Sequence, residues 1–193
     1  MGVKSRMEYG DEQLVELLYA YKKGTYGSLQ KGYFIQGDLY HFKETEILGG
    51  HAFAMLPIRF SELTQDELDK TLRMDGIIED VRASSNRAIQ LKFTLSEMPF
   101  SGDYEKSVSY IVEQIKQIQP AYRIEKINCE QNVLTGPWIE FQSSAIDRQL
   151  YNMNFYINMG NQLLQGLFIC PIGWKENWKI VFQEMFRSIK EMA

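Results

Sequence analysis

Leu150-Tyr151-Asn152-Met153-Asn154-Phe155-Tyr156-Ile157-Asn158-Met159 alternates without a break. On an extended chain Tyr151, Met153, Phe155, Ile157 and Met159 fall on one side, and Asn152, Asn154, Tyr156 and Asn158 on the other. A period of two belongs to a strand, and this strand asks for a core on one face only. Gly160-Asn161 suits a two-residue hairpin turn, after which Gln162 to Cys170 reads as the returning strand. Upstream, Tyr122 to Cys129 and then Trp138 to Ser144, entered through Gly136-Pro137, complete a meander. Downstream, Trp178, Val181, Phe182, Met185, Phe186 and Ile189 recur at spacings of three and four, which predicts a C-terminal helix lying on the apolar face.

The rest of the chain extends this pattern. Gly32 to Gln36, Leu39 to Lys43 across a Gly37-Asp38 turn, and His51 to Leu56 after Gly49-Gly50 read as strands, with Pro57 closing the last. Gly76 to Arg82 and Ala88 to Ser96 are two more, joined by the loop Ala83 to Arg87; Ile89, Leu91, Phe93 and Leu95 alternate with Gln90, Lys92 and Thr94. Tyr104, Val108, Ile111, Val112, Ile115 and Ile118 form the stripe of a long mid-chain helix that ends at Gln119-Pro120. Thr64 and Glu67 make a capping box for a short acidic helix through about Met74. Leu14, Leu17, Leu18 and Tyr21 give a first helix from Asp11 to Lys23, and the turn-rich Gly24 to Ser28 separates it from the body. The expected architecture is α+β: a twisted antiparallel sheet flanked by helices, with both the mid-chain and C-terminal helices on its apolar face. Residues 1–30 read as an N-terminal helical arm and residues 31–193 as one domain.

Composition narrows the class of function. The chain has 193 residues, 45% hydrophobic and 13% aromatic, too apolar for disorder, and long enough to bury roughly 70% of its unfolded surface. No apolar run approaches the roughly 18 residues of a membrane span, so stable membrane insertion is not expected. The formal net charge is -4, and Lys and Arg are scattered singly or in pairs such as Lys22-Lys23; a nucleic-acid partner would ask for a basic stripe. Residues 61–80 hold seven acids against Lys70 and Arg73, the pattern of a solvated helix face. The first residues turn acidic at Glu8, Asp11 and Glu12 where a signal peptide needs an apolar core, and Arg6 stands where a myristoylation signal carries Ser or Thr. The expected location is cytoplasmic, with Cys129 and Cys170 as buried thiols.

No catalytic residues emerge. His41 and His51 are the only histidines, and neither accompanies a nucleophile motif. H-E-x-x-H and paired C-x-x-C are absent, and His41 with Glu44 and Glu46 reads as exposed strand-end polarity rather than a metal site. Gly49-Gly50 lacks the G-x-x-x-x-G-K context of a phosphate loop, so no cofactor is expected. The polar sheet face is the candidate partner-binding surface. With the alternation in register it carries Lys92, Glu140, Gln142, Asn152, Asn154 and Tyr156, accompanied by Gln90 and Thr94, with Trp138 on the side of Glu140. On that reading Asn154→Arg leaves the fold intact and abolishes capture of a partner. A cavity lined by Phe155, Phe168 and Phe182 would instead indicate a small-molecule or lipid-binding domain with its site between sheet and helices.

Several residues resemble the PsbP/DcrB superfamily over residues 38–190: Leu56-Pro57 followed by Phe60, Phe93-Thr94-Leu95, Tyr151-Asn152, Leu167-Phe168 with Cys170-Pro171, Trp178, and Phe186-Arg187-Ser188-Ile189. The resemblance implies an antiparallel sheet flanked by helices, and a binding module rather than an enzyme. Members include a eukaryotic import factor that binds a small GTPase, subunits of the photosynthetic oxygen-evolving complex, and cytoplasmic chaperones of secreted bacterial toxins. It therefore implies another protein as partner, a chaperone or adaptor role toward a secreted or membrane-associated protein, and a homodimer as one permitted assembly.

Overall fold

The computed structural model describes residues 25–64, 78–96, 109, 112–113, 115–117, 123–128, 138–159 and 162–192. The helix expected from Asp11 to Lys23, the acidic helix beyond Thr64, the Gly160-Asn161 turn and Cys129 lie outside them. Thirteen strands are described: Thr25–Ser28 (β1), Gly32–Ile35 (β2), Asp38–Tyr40 (β3), Phe42–Ile47 (β4), Ala52–Pro57 (β5), Ser61–Glu62 (β6), Ile78–Ala83 (β7), Gln90–Ser96 (β8), Arg123–Asn128 (β9), Trp138–Ser144 (β10), Gln149–Met159 (β11), Gln162–Pro171 (β12) and Lys190–Glu191 (β13). The C-terminal helix α1 is Lys175–Arg187.

The alternating strands form one antiparallel seven-stranded sheet in the order β6-β7-β8-β12-β11-β10-β9. Its centre is the pair of long strands β11 and β12, with Phe155 opposite Gly166 and Met153 opposite Phe168. Two three-stranded sheets, β1-β2-β3 and β13-β5-β4, stand beside it. Leu91, Phe93 and Leu95, Leu164 and Phe168, and Tyr151, Met153 and Phe155 form one buried cluster with Ile35, Ile47, Ala54 and Leu56 of the small sheets and with Trp178, Val181, Phe182, Met185 and Phe186 of α1. Burying those five helix side chains contributes on the order of 10 kcal/mol before chain entropy is counted. The expected sheet-and-helix α+β core is therefore present.

Two expectations are corrected. Thr25–Ser28 was expected as a connector, yet it pairs with β2 in register, and Leu29 is buried in the main core. Thr25 Oγ1 also donates to the Asn177 carbonyl on α1 at 2.9 Å, so the body reaches back to Thr25. The mid-chain helix was expected beside α1. Instead its described residues Val112 and Ile115 pack with Ile139, Phe141, Tyr156, Leu163 and Leu167, on the opposite face of the sheet. Helical layers thus cover both faces, because β10 and β12 supply apolar side chains to the face that β11 makes polar.

The β4–β5 hairpin closes through a strained turn. Leu48, Gly49 and Gly50 take φ of 56°, 64° and 93° in succession, and Leu48 is fully buried. A left-handed leucine costs about 1–2 kcal/mol, whereas glycine adopts that region freely. Asp80 helps to hold the turn: its Oδ2 accepts from the Leu48 N–H at 3.3 Å, while Arg82 donates to both Asp80 oxygens at 2.9 Å and to the Glu46 carbonyl at 3.0 Å.

Candidate functional site

The six polar sheet residues do not form one open surface. Asn152, Asn154 and Tyr156 do share a face with Lys92, but Glu140 and Gln142 lie on the other, because Glu140 stands opposite Met153 and Gln142 opposite Tyr151. The cause is the hairpin loop. Ser144 pairs with Gln149, so four residues lie between, and an even number of loop residues sets even positions of β10 against odd positions of β11. Nor is the Asn face open: Asn152 and Asn154 are 4% exposed and Tyr156 3%, beneath the helical layer of Val112 and Ile115. Their polar atoms are satisfied internally. Asn152 Nδ2 donates to Ser143 Oγ at 2.8 Å and to the Phe141 carbonyl at 3.3 Å, Asn154 Nδ2 donates to Tyr156 Oη at 2.7 Å, and Gln165 Nε2 donates to Asn154 Oδ1 at 3.2 Å. Burial raises the Tyr156 hydroxyl pKa above its ordinary value, keeping it neutral. Lys92 bridges to Glu79 at 2.7 Å.

On the α1 side, Glu140 is 1% exposed and ion-pairs with Lys179 at 2.8 Å, while the Trp138 indole N–H donates to it at 3.3 Å. This ties β10 to the helix. Lys179→Met leaves the carboxylate buried with the indole alone, and should cost about 3 kcal/mol in urea unfolding, the low end for a broken buried pair because Lys179 reaches solvent. Adding Glu140→Gln should return most of that loss; an unchanged midpoint in the single variant would show that the pair is not structural.

The space between sheet and α1 is filled. Phe155, Phe168, Phe182 and Phe186 contact one another, with ring centroids 5.3 Å apart for Phe155–Phe168, 4.7 Å for Phe168–Phe182 and 4.1 Å for Phe155–Phe186. The residues expected to line an internal ligand cavity are thus the packed core itself. Cys170 lies in the same core as a free thiol pushed up to about 12 by burial, a setting that makes it unreactive. His41 and His51 are exposed, and among the described residues no three metal-ligating side chains come together.

A concave feature lies elsewhere among the described residues, where four separate segments meet. The β2–β3 turn brings Ile35, Gln36, Asp38 and Tyr40; the turn after β5 brings Arg59 and Phe60; the β7–β8 loop brings Ser84, Ser85, Asn86 and Ile89; and the start of α1 brings Trp174 and Trp178. Together they enclose about 290 Å³. Ile35, Phe60, Ile89 and Trp178 are its buried floor, and Gln36, Asp38, Arg59, Ser85 and Asn86 its exposed rim. Each wall is held locally. Trp178 packs edge-on to Tyr40 at 5.0 Å and near Phe60 at 6.1 Å. The Phe60 N–H closes a turn onto the Pro57 carbonyl at 3.0 Å, which presents Arg59. Asn86 Oδ1 accepts from Ser84 Oγ at 2.7 Å and from the Ala88 N–H at 3.1 Å, fixing the β7–β8 loop. Burial, reinforced by the Asp38 carboxylate and opposed by Arg59, raises the Tyr40 pKa, so its hydroxyl remains a donor at neutral pH.

In the sequence Trp178 and Phe60 read as core residues, and nothing in the pattern singles out the rest of this pocket. Only the juxtaposition of Trp174, Tyr40 and Arg59 marks it, and those residues are far apart in the chain.

No protein-family model matches the chain, and no curated protein sequence matches it. Solved structures do. The Saccharomyces cerevisiae Ran-binding protein Mog1p superposes with a TM-score of 0.56 at 13% identity, over 79% of this chain and 96% of Mog1p. Cyanobacterial PsbP (CyanoP) from Synechocystis sp. PCC 6803 superposes with a TM-score of 0.57 at 9% identity, over 78% of this chain and 92% of CyanoP. At such identities the likeness is one of fold. The chain has the PsbP/DcrB-like fold that its sequence resembles.

Proposed function

We propose that this chain is a non-enzymatic protein-binding module of the cytoplasm, a chaperone or adaptor for a secreted or membrane-associated partner, and that it takes a segment of that partner into the pocket at Trp174 and Trp178. The composition of the pocket carries this reading. Two tryptophans, Tyr40 and Arg59 converge on one concavity, and Trp, Tyr and Arg are the residue types that dominate binding energy at protein interfaces. A polar rim around an apolar floor is the ordinary anatomy of such a contact. The volume of about 290 Å³ is at the lower limit for a drug-sized ligand but suits one inserted side chain. Mog1p, which shares the fold, is a Ran-binding protein. Among the described residues no helix is long and apolar enough to cross a membrane.

Native mass spectrometry of the protein purified gently from its own cells tests the proposal and reads the subunit count in the same spectrum. Ser85→Arg places a large side chain on the exposed rim and should change stability by less than about 0.5 kcal/mol. The wild type should retain a second polypeptide that Ser85→Arg loses. A retained small molecule in place of a polypeptide, or a polypeptide held equally by Ser85→Arg, overturns the assignment.

A further inference from the structure

Resting on the pocket reading above, we infer that the partner segment is an extended peptide in which one large apolar side chain stands next to an aspartate or glutamate. The rim carries several uncommitted polar groups. Arg59 is exposed and makes no ion pair or hydrogen bond with any described residue, so its guanidinium fork is available. The Tyr40 hydroxyl and the Trp174 indole N–H likewise make no hydrogen bond among the described residues. Asn86 has committed its carbonyl oxygen twice, to Ser84 and Ala88, which leaves its amide N–H groups as donors. Four donors therefore line the pocket with the apolar floor, one of them a cation, and a planar carboxylate is the group that meets an arginine fork with two bonds.

The β2–β3 turn adds acceptors to the same rim. Gln36 spends its amide N–H on Asn177 Oδ1 at 3.3 Å, leaving its carbonyl oxygen, and Asp38 beside it is a carboxylate with no ion pair among the described residues. These acceptors have nothing to bind in a simple carboxylate ligand, whereas a peptide supplies both backbone N–H groups to the acceptors and carbonyl or carboxylate oxygens to the donors. The apolar floor of Ile35, Phe60, Ile89 and Trp178 then takes a side chain adjacent to the acid. Long-range attraction is not the source of the preference, because the chain as a whole carries a net charge of -4; the selection for an acid is local to Arg59.

The test uses random peptides displayed on phage, selected against the full-length protein, followed by titration of the strongest synthetic peptide. Enriched peptides should place a Phe, Leu, Met or Trp next to an Asp or Glu. Arg59→Glu, an exposed change expected to leave the melting temperature intact, should weaken that peptide by at least about tenfold, the usual cost of losing a charge-assisted bond, and should select basic peptides instead. Enrichment without acidic residues, equal binding by Arg59→Glu, or displacement of the peptide by an equimolar small aromatic carboxylate overturns the inference while leaving the pocket as a binding site. Enrichment that is indifferent to Ser85→Arg, or no enrichment at all, overturns the pocket reading with it.

Discussion

Gly166→Ala should destabilise the protein by about 3 kcal/mol although it adds a single methyl group. Gly166 faces Phe155 across the β11–β12 pair, and a Cβ built there would stand 1.9 Å from Phe155 Cζ and 2.1 Å from Cε1. The ring has nowhere to go. Its centroid is 4.1 Å from that of Phe186 and 5.3 Å from that of Phe168, and all three are at most 2% exposed. Overpacking a filled core costs about 1–3 kcal/mol and exceeds that range where neighbours are locked. Emptying the site is as harmful: Phe155→Ala should cost about 3–5 kcal/mol through lost transfer energy and a residual cavity. The two effects have opposite steric signs, so they can be played against each other. Phe155→Leu removes the ring atoms that the new methyl strikes, and in that background Gly166→Ala should cost at least about 1 kcal/mol less than it does alone. Urea unfolding followed by tryptophan fluorescence gives all four corners of the cycle. A Gly166→Ala variant within about 0.5 kcal/mol of wild type would show that the ring does not sit on the glycine.

This contact also shows what the sequence makes legible. Alternation in Tyr151–Met159 and Ile89–Leu95 identifies β11 and β8 because each has one apolar face, and the three-and-four spacing from Trp178 onward identifies α1 because its stripe must be covered. The bounds of Trp138–Ser144 follow from the Gly136-Pro137 break before it. What alternation does not carry is the phase between strands. The side on which Glu140 lies depends on whether its hairpin loop holds an odd or an even number of residues, and Ala145–Arg148 has no glycine to mark that length. The placement of the mid-chain helix turns on the same point, since its apolar stripe fits either face until Ile139, Phe141, Leu163 and Leu167 are known to share one. Strand β1 is silent for a local reason: Thr25-Tyr26-Gly27-Ser28 shows no apolar alternation, and Gly27 at φ 138° brings its backbone against Gly32, closer than any side chain allows. The pocket is silent for a global one. Tyr40, Arg59, Asn86 and Trp174 have no common spacing, and each alone reads as a loop or core residue.

Asn154→Arg separates the two descriptions of the sheet most sharply. If the Asn face were open, the arginine would extend into water and the variant would fold as the wild type does. With Asn154 4% exposed beneath the layer of Val112, Ile139 and Tyr156, the substitution places a charge among apolar groups, none of which, among the described residues of that cluster, is a counter-ion. It also removes the acceptor of the Gln165 amide and the donor to Tyr156 Oη. An unpaired buried charge and two orphaned polar groups should together cost on the order of 4 kcal/mol or more, enough to unfold a domain of ordinary stability. Asn158 provides the internal control. It lies on the same strand and face, two residues past Tyr156, but it is exposed, so Asn158→Arg should shift stability by no more than about 0.5 kcal/mol. Circular dichroism through a urea gradient distinguishes the pair. An Asn154→Arg protein that folds with wild-type stability would mean that the helical layer does not close over this face, and would return the polar sheet residues to the surface as a partner-binding site. Loss of folding at Asn154 with tolerance at Asn158 fixes the edge of that layer between them, and leaves recognition to the pocket at the start of α1.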